Sequence, residues 1–228
     1  MAFTKSLALA GAITIAAGAA SAASILDLTA AGAQNAGMLG GATYGISAVG
    51  GALNNSEAYD GGARPSGAIA DMLAFERDGY GVTDDEITYP GERIVITFDR
   101  MVRLTGVAFL DLFNDANVHN GDEGQVVNED GTSDEYVRLI VDGTAATVFD
   151  SVCPYRTCGG YAEYAGLELM GRVFSFEAGD SPRTRNDGVG KPDFALAALE
   201  VAAVPVPAAG VLLLGALGGL AAARRRKG

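Results

Sequence analysis

Short segments in which apolar and polar residues alternate recur along the central part of the chain. Arg93–Phe98 is β-branched and follows Pro90-Gly91, and Tyr136–Val141 alternates before the turn pair Asp142-Gly143. A period of two is typical of strands that bury one face. The other predicted strands are Ser24–Leu28, Thr43–Val49, Val102–Leu112 with a break at Gly106, Thr147–Val152, Leu167–Met170, Arg172–Glu177 and Phe194–Val201.

Turn-forming residues separate these segments, for example at Asp60-Gly61-Gly62, Asp78-Gly79 and Asp187-Gly188. Many short strands joined by such turns indicate an all-β fold, and we expect a jelly-roll-like β-sandwich. Ala68–Phe75 is the one segment that predicts a short helix. Gln34–Gly51 is rich in Gly and Ala, which predicts a loop or a weakly paired edge.

The amino-terminal segment has the pattern of a secretory signal peptide. One cation, Lys5, precedes the apolar stretch Leu7–Ala19, and the small residues Ala20-Ser21-Ala22 follow it. We expect cleavage after Ala22, so residues 1–22 would be removed. The alternative, a helix of the mature fold, is disfavoured because these small residues pack a core poorly.

The carboxy-terminal segment predicts a membrane helix. Val201–Ala223 has no charge, and its last 16 residues, Ala208–Ala223, contain only Ala, Gly, Val and Leu. This length is close to the minimum that spans a bilayer. The cations Arg224, Arg225, Arg226 and Lys227 follow at once and are expected to stay cytoplasmic, which places the body of the protein on the other side. The alternative is a C-terminal core helix.

These terminal features resemble the VPLPA-CTERM sorting signal, a branch of the PEP-CTERM group. Its Pro-containing motif is matched at Val204, Pro205, Val206, Pro207 and Ala208, with Val206 where the family usually has Leu. The resemblance implies Sec-type export, an inner-membrane-anchored precursor and processing by an exosortase. It further implies a final location at the cell surface or outside the cell of a Gram-negative-type bacterium. The predicted organisation is therefore a signal peptide (1–22), an ectodomain (23–203) and a sorting signal (204–228).

The body of the chain resembles ectodomains that commonly carry such signals. The matching segments are Gly79-Tyr80-Gly81-Val82, Asp84-Asp85-Glu86-Ile87, Gly91-Glu92-Arg93, Gly171–Phe176 and Asp193–Leu196. This resemblance implies a jelly-roll β-sandwich.

The charge excludes several functions. The net charge is −12, and removing Lys5 and the four terminal cations leaves 11 basic and 28 acidic residues, a net charge of −17. Nucleic-acid binding needs clustered positive charge, so we expect no nucleic-acid partner. One His and two Cys cannot build most catalytic zinc sites or an iron–sulfur cluster.

Cys153 and Cys158 are predicted to form a local disulfide. Two cysteines this close in an exported protein favour that pairing. The short loop that it closes contributes only about 2 kcal/mol. A redox-active pair would be expected as C-x-x-C at a helix N-terminus instead.

Acidic loops are the only candidate metal sites. Calcium takes six to eight hard oxygen ligands, and such ligands are abundant around Asp84–Glu86, Asp111–Glu123 and Asn128–Glu135. None of these loops has the EF-hand spacing. The candidate ligands are Asp111, Asp115, Asp187 and Asp193, and the alternative is solvated surface acid.

No catalytic pattern stands out in the sequence. His119 lies in a polar loop without a G-x-S-x-G elbow. Carboxylate pairs such as glycosidases use are not distinguishable among 28 acids. Tyr155, Tyr161 and Tyr164 flank the cysteine loop, where packing is favoured over sugar stacking. We expect a non-enzymatic surface or matrix protein associated with exopolysaccharide. A calcium-dependent carbohydrate-binding module is the alternative, and a secreted hydrolase is less favoured.

Overall fold

The computed structural model describes residues 22–114, 135–154, 160–179 and 192–204. Ser21–Val204 forms one compact unit, and the two chain ends, Met1–Ala20 and Pro205–Gly228, fall outside it.

The described residues form strands and one short 3₁₀-helix, Ala70–Met72. The strands are β1 (Ser24–Asp27), β2 (Ala36–Leu39), β3 (Ala42–Val49), β4 (Leu53–Asn54), β5 (Gly81–Val82), β6 (Arg93–Leu110), β7 (Phe113–Asn114), β8 (Tyr136–Val141), β9 (Thr144–Asp150), β10 (Cys153–Pro154), β11 (Ala162–Ala178) and β12 (Ala195–Ala203).

The long strand β6 organises the sheet. The strand order is β1-β12-β6-β11-β8-β9, and β3 also pairs with β6 and with β2. The first half of β6 pairs with β3 and the second half with β12, while β11 runs antiparallel along both halves. Between the halves, Asp99, Arg100 and Met101 are all exposed and the alternation of inward and outward side chains is interrupted. The sheet therefore folds over itself into a sandwich-like, antiparallel all-β domain.

One apolar core fills the space between the layers. Its central ring is that of Phe109, which contacts Phe149, Phe176 and Phe194 with centroid distances of 5.4, 6.2 and 5.5 Å. Inward residues from both halves of β6, such as Ile96 and Leu104, are fully buried. Each such side chain contributes roughly 1.5–3 kcal/mol through the apolar area it removes from water.

The segment between β4 and β5 covers the outer face of β6 and β12. Ile69, Ala70 and Leu73 pack there on small residues that include Ala108 and Ala198. The small side chains let the loop approach the sheet closely, which buries the outer face at this position as well.

Glu163 of β11 holds this loop in place. Its carboxylate accepts hydrogen bonds from the backbone N–H groups of Ala68, Ile69 and Ala70 at 2.8, 2.9 and 3.0 Å and from the Tyr161 hydroxyl at 2.8 Å. Burial raises the pKa of Glu163, but these hydrogen bonds outweigh it and hold the pKa below its usual range.

The all-β prediction is confirmed, with two differences in how the strands are divided. The predicted strand Val102–Leu112 continues the preceding strand as far as Leu110, where β6 ends. The two segments predicted between Leu167 and Glu177 are one strand, β11. Gly106 does not break the strand and lies within β6. Its role is in packing, because a Cβ there would stand 2.9 Å from Ile69 Cδ1 in the loop between β4 and β5 that covers the sheet. A residue without a side chain is what lets the loop pack at this point.

The predicted strand Thr43–Val49 is confirmed as β3. For Gln34–Gly51 the loop interpretation is wrong and the edge interpretation fits β2, which among the described strands pairs only with β3. The prediction of a short helix is also wrong. Ala68–Phe75 contains only the 3₁₀-helix. The N–H groups of Ala74 and Phe75 donate to the side chains of Asp27 and Thr29, at 2.8 and 2.9 Å, instead of continuing a helix.

Candidate functional site

Carboxylates from five turns converge at one end of the sandwich. One turn follows β4, one precedes β5, one follows β5, one follows β6 and one precedes β12. Each interacts electrostatically with others of the set. We call this set the acidic cluster: Asp60, Asp78, Asp84, Asp85, Glu86, Asp111 and Asp193.

The turn after β5 positions three of these carboxylates. The Val82 N–H donates to the Glu86 carbonyl at 2.8 Å. Gly81 is required at this turn, because a Cβ there would lie 2.1 Å from the carbonyl carbon of Asp85. The N–H of Ile87 then donates to the Phe194 carbonyl at 2.7 Å, which fixes the turn beside the start of β12.

Asp111 occupies the centre of the cluster, at the end of β6. Its backbone has φ 54°, and the next N–H, that of Leu112, donates to the Gly160 carbonyl at 3.1 Å. Its Oδ2 atom is buried and accepts no hydrogen bond from a described residue. Burial, and then the charges of Asp78 and Glu86, raise the pKa of Asp111 to about 8.

Asp78 is the most buried member, with 3% of its surface exposed. Its Oδ1 accepts one long hydrogen bond, 3.3 Å, from the Asp60 N–H. Burial raises the pKa of Asp78 to about 6, the hydrogen bond opposes this, and the charges of Asp60 and Asp85 add to it. The carboxylate is therefore costly to ionise where it stands.

Glu86 and Asp193 form a carboxyl–carboxylate pair. Burial raises the pKa of both groups. The two carboxyl groups are hydrogen-bonded to each other, so they share one proton as a pair.

The cluster lacks a positive partner among the described residues. The ion pairs among the described residues are Arg100–Asp99, Arg103–Glu168 and Arg138–Glu177, and none of them involves a member of the cluster. Within the same residues, no three carboxylate, His or Cys side chains stand close enough together to hold a metal ion. The repulsion between like charges in a partly buried site is lowered when a carboxylate takes up a proton or when a cation binds. Calcium is a cation that prefers such oxygen ligands.

The structure describes two of the four candidate calcium ligands. Asp111 and Asp193 both lie in the acidic cluster, where Glu86 interacts with each of them. Asp115 and Asp187 lie outside the described residues. Asp60 and Asp78 were interpreted from the sequence only as turn residues. Their Asp-Gly pairs gave no signal that the two turns meet at the end of β6.

Three aromatic rings border the cluster. Phe75 contacts Tyr59 and Tyr161 edge to face at 5.1 and 5.9 Å between ring centroids, and the Arg64 guanidinium lies 5.3 Å from the Phe75 centroid. Tyr161 is packed, with 8% of its surface exposed, whereas Tyr59 is half-buried beside Asp78 and Asp111.

The remaining predicted site residues lie mostly outside the described residues. Val204 ends the described chain just after β12, whereas Pro205, Val206, Pro207, Ala208 and the basic residues Arg224–Lys227 follow it. Cys158 and His119 are also outside, so the Cys153–Cys158 disulfide stays a prediction. No helix in the described part of the chain is long and apolar enough to cross a membrane.

Comparisons with known proteins identify no family. No family profile matches the chain, and no curated protein matches it. Among solved structures, the chain is similar to the C-terminal domain of a chitobiase from Bacteroides fragilis. The two are 15% identical, and the match covers 72% of this chain and 95% of that one with a TM-score of 0.28.

Proposed function

We propose that the chain is an exported, non-enzymatic surface or matrix protein, with a jelly-roll-like ectodomain that a C-terminal segment anchors until an exosortase processes it. One observation carries the proposal. The compact unit Ser21–Val204 begins and ends where the sequence predicts signal cleavage and the sorting motif. One compact unit that spans the predicted ectodomain is what export followed by sorting requires.

The partners follow from the same organisation. Export through a Sec-type system precedes folding, the membrane holds residues 208–223, and the exosortase acts near Val204–Ala208. An acidic, well-folded domain with net charge −17 is suited to the hydrated polysaccharide outside the cell.

Mass spectrometry of the mature C-terminus tests the proposal. In cells with an intact processing enzyme, we expect protein from the envelope and the medium to end near the Val204–Ala208 motif. In cells that lack the enzyme, the protein should retain Arg224–Lys227. Mature protein that keeps this basic tail when the enzyme is present contradicts the proposal.

As the alternative function, we propose a calcium-dependent carbohydrate-binding module. The favouring observation is the buried Oδ2 of Asp111, which accepts no hydrogen bond from a described residue and belongs to a cluster without a described cation. A calcium ion bound at Asp111 would lower the repulsion among these carboxylates. Since no three described carboxylates stand close enough to hold it, water and backbone carbonyls would have to complete its ligands. The half-buried Tyr59 ring beside the cluster offers a contact for a sugar.

Calcium titration of the melting temperature tests this alternative. Binding to the folded state alone raises stability by about 2.7 kcal/mol at a hundredfold excess over the dissociation constant, which shifts the melting temperature by several degrees. Magnesium is the control cation. An unchanged melting temperature with calcium and with chelator contradicts the metal site.

A further inference from the structure

The end of the sandwich opposite the acidic cluster carries both termini of the described chain. Strand β1 begins with Ser24 opposite Val201, and β12 ends with Ala203 opposite Val102. Both positions lie beside the bend of β6 at Asp99–Met101. We call this the bend end. Nine residues of extended strand, about 30 Å, separate Val102 from Asp111 in the acidic cluster.

Three exposed methionines surround the bend end. Met101 lies in the bend with 49% of its surface exposed, and Met170, opposite Arg103 in the adjoining strand, is 57% exposed. Met38, 74% exposed, pairs with Thr43, whose N–H donates to Asp99 Oδ1 at 3.1 Å. Three of the seven large apolar side chains that are exposed in the described residues, and three of their four exposed methionines, thus lie around this end.

The charges at this end are balanced, unlike those of the acidic cluster. Arg100 pairs with Asp99 at 3.2 Å, and Arg103 pairs with Glu168 at 3.0 Å. Arg172 donates from Nη2 to the Asp99 carbonyl at 2.8 Å. An apolar, locally neutral surface with guanidinium groups is suited to a lipid interface. The acidic end, with its unpaired carboxylates, is not suited to one.

The sequence beyond Val204 limits where this end can lie. The uncharged run predicted to enter the bilayer begins at Ala208, so three residues separate it from the last described one. Four Cα–Cα steps span at most about 15 Å. While the run is inserted, Val204 and the adjoining bend end are thus held within about that distance of the start of the run.

We propose that the bend end rests on the bilayer surface while the C-terminal segment is inserted, with Met38, Met101 and Met170 entering the interfacial layer. The inference rests on the proposed function, since it requires the anchored precursor. It assigns to one surface of the ectodomain a lipid partner and an orientation.

Tryptophan fluorescence of the full chain tests this orientation. The protein contains no Trp, so Met101→Trp and Met170→Trp each introduce a single reporter. The control is Val152→Trp, which is 63% exposed and adjoins β10 near the acidic end. Each variant is reconstituted in phosphatidylcholine–phosphatidylglycerol vesicles with and without lipids that are brominated near the headgroup end of the acyl chain.

We expect brominated lipid to quench Met101→Trp and Met170→Trp about twofold or more and to leave Val152→Trp unchanged. Thermal unfolding of each variant shows whether it is folded. Equal quenching of all three, in protein that floats with the vesicles, overturns the orientation and leaves the anchor intact. Protein that does not float overturns both the anchor and the inference that depends on it.

Discussion

At the scale of single residues, the carboxyl of Asp111 links folding to pH. Its pKa is about 8 in the folded chain, against an ordinary value near 3.9 when unfolded. Between these values the folded state binds more protons than the unfolded state. Its contribution to stability is therefore present at low pH and is lost as the pH rises from about 4 to about 8. Asp78 acts in the same direction up to about pH 6.

We therefore expect Asp111→Asn to stabilise the domain at about pH 8 and to change little at about pH 4. The gain at the higher pH should be at least about 2 kcal/mol in the free energy of unfolding, because one pKa unit corresponds to about 1.4 kcal/mol. Thermal unfolding in the presence of chelator measures it. Asp71→Asn, at an exposed position of the 3₁₀-helix, is the control. An equal effect of Asp111→Asn at both pH values contradicts the assignment.

The sequence identified only part of the acidic cluster. Asp111, Asp193 and Asp84–Glu86 stood out because they lie in acid-rich or closing segments. Asp60 and Asp78 did not, because an Asp-Gly pair predicts a turn and carries no information on which turns meet. That information lies in long-range pairing, such as the hydrogen bonds that join the β5 turn to the start of β12.

At the scale of elements, one carboxylate joins the covering loop to the sheet. Glu163 accepts hydrogen bonds from three backbone N–H groups that lie 93 to 95 residues away along the chain. Gly67 has no Cβ, and one there would stand 2.4 Å from Glu163 Oε1. No local pattern indicates such a contact, which is why the sequence predicted a helix at this loop.

Glu163→Ala should destabilise the domain by about 2–4 kcal/mol. The substitution leaves three backbone N–H groups and the Tyr161 hydroxyl without their acceptor, and unsatisfied buried donors cost more than the net value of a hydrogen bond. Urea unfolding measures the loss. Glu168→Ala on the same strand, where the side chain is 70% exposed, should change stability by less than about 0.5 kcal/mol. Similar losses for both variants contradict the role of Glu163.

The strand segments themselves were largely predictable. β8 and its turn at Asp142-Gly143 have the predicted bounds, because alternation and turn residues coincide there. β6 was divided in two because Asp99–Met101 interrupts the alternation. The hydrophobic pattern shows only which side chains are exposed. Three exposed residues in a row give the same pattern at the end of a strand and at a bend within one, such as Asp99–Met101.

At the scale of the whole molecule, repulsion among like charges opposes folding. Residues 23–204 carry a net charge of −17, and seven of their carboxylates meet at one end. Composition alone predicted the magnitude of the charge. Its concentration at the end opposite Ser24 and Ala203 follows from the topology, which the sequence did not specify.

Salt should therefore stabilise the domain without any specific cation. Raising sodium chloride from about 0.02 M to about 0.5 M shortens the screening length severalfold, so the melting temperature at about pH 8 should rise by a few degrees. At about pH 5 the rise should be smaller, because part of the cluster is protonated. Chelator in both samples excludes divalent ions. A melting temperature that is independent of salt at about pH 8 would contradict this account of the charge.

The position of β12 has a mechanical consequence. This strand is hydrogen-bonded on both sides, to β1 and to β6, and it ends at Ala203, just before the C-terminal segment that we propose as the membrane anchor. A pull from that segment runs along the strand axis, so it loads many hydrogen bonds together in shear instead of opening them one at a time. If the proposed anchor holds the protein, its tether therefore enters the domain through a strand that resists tension along its axis.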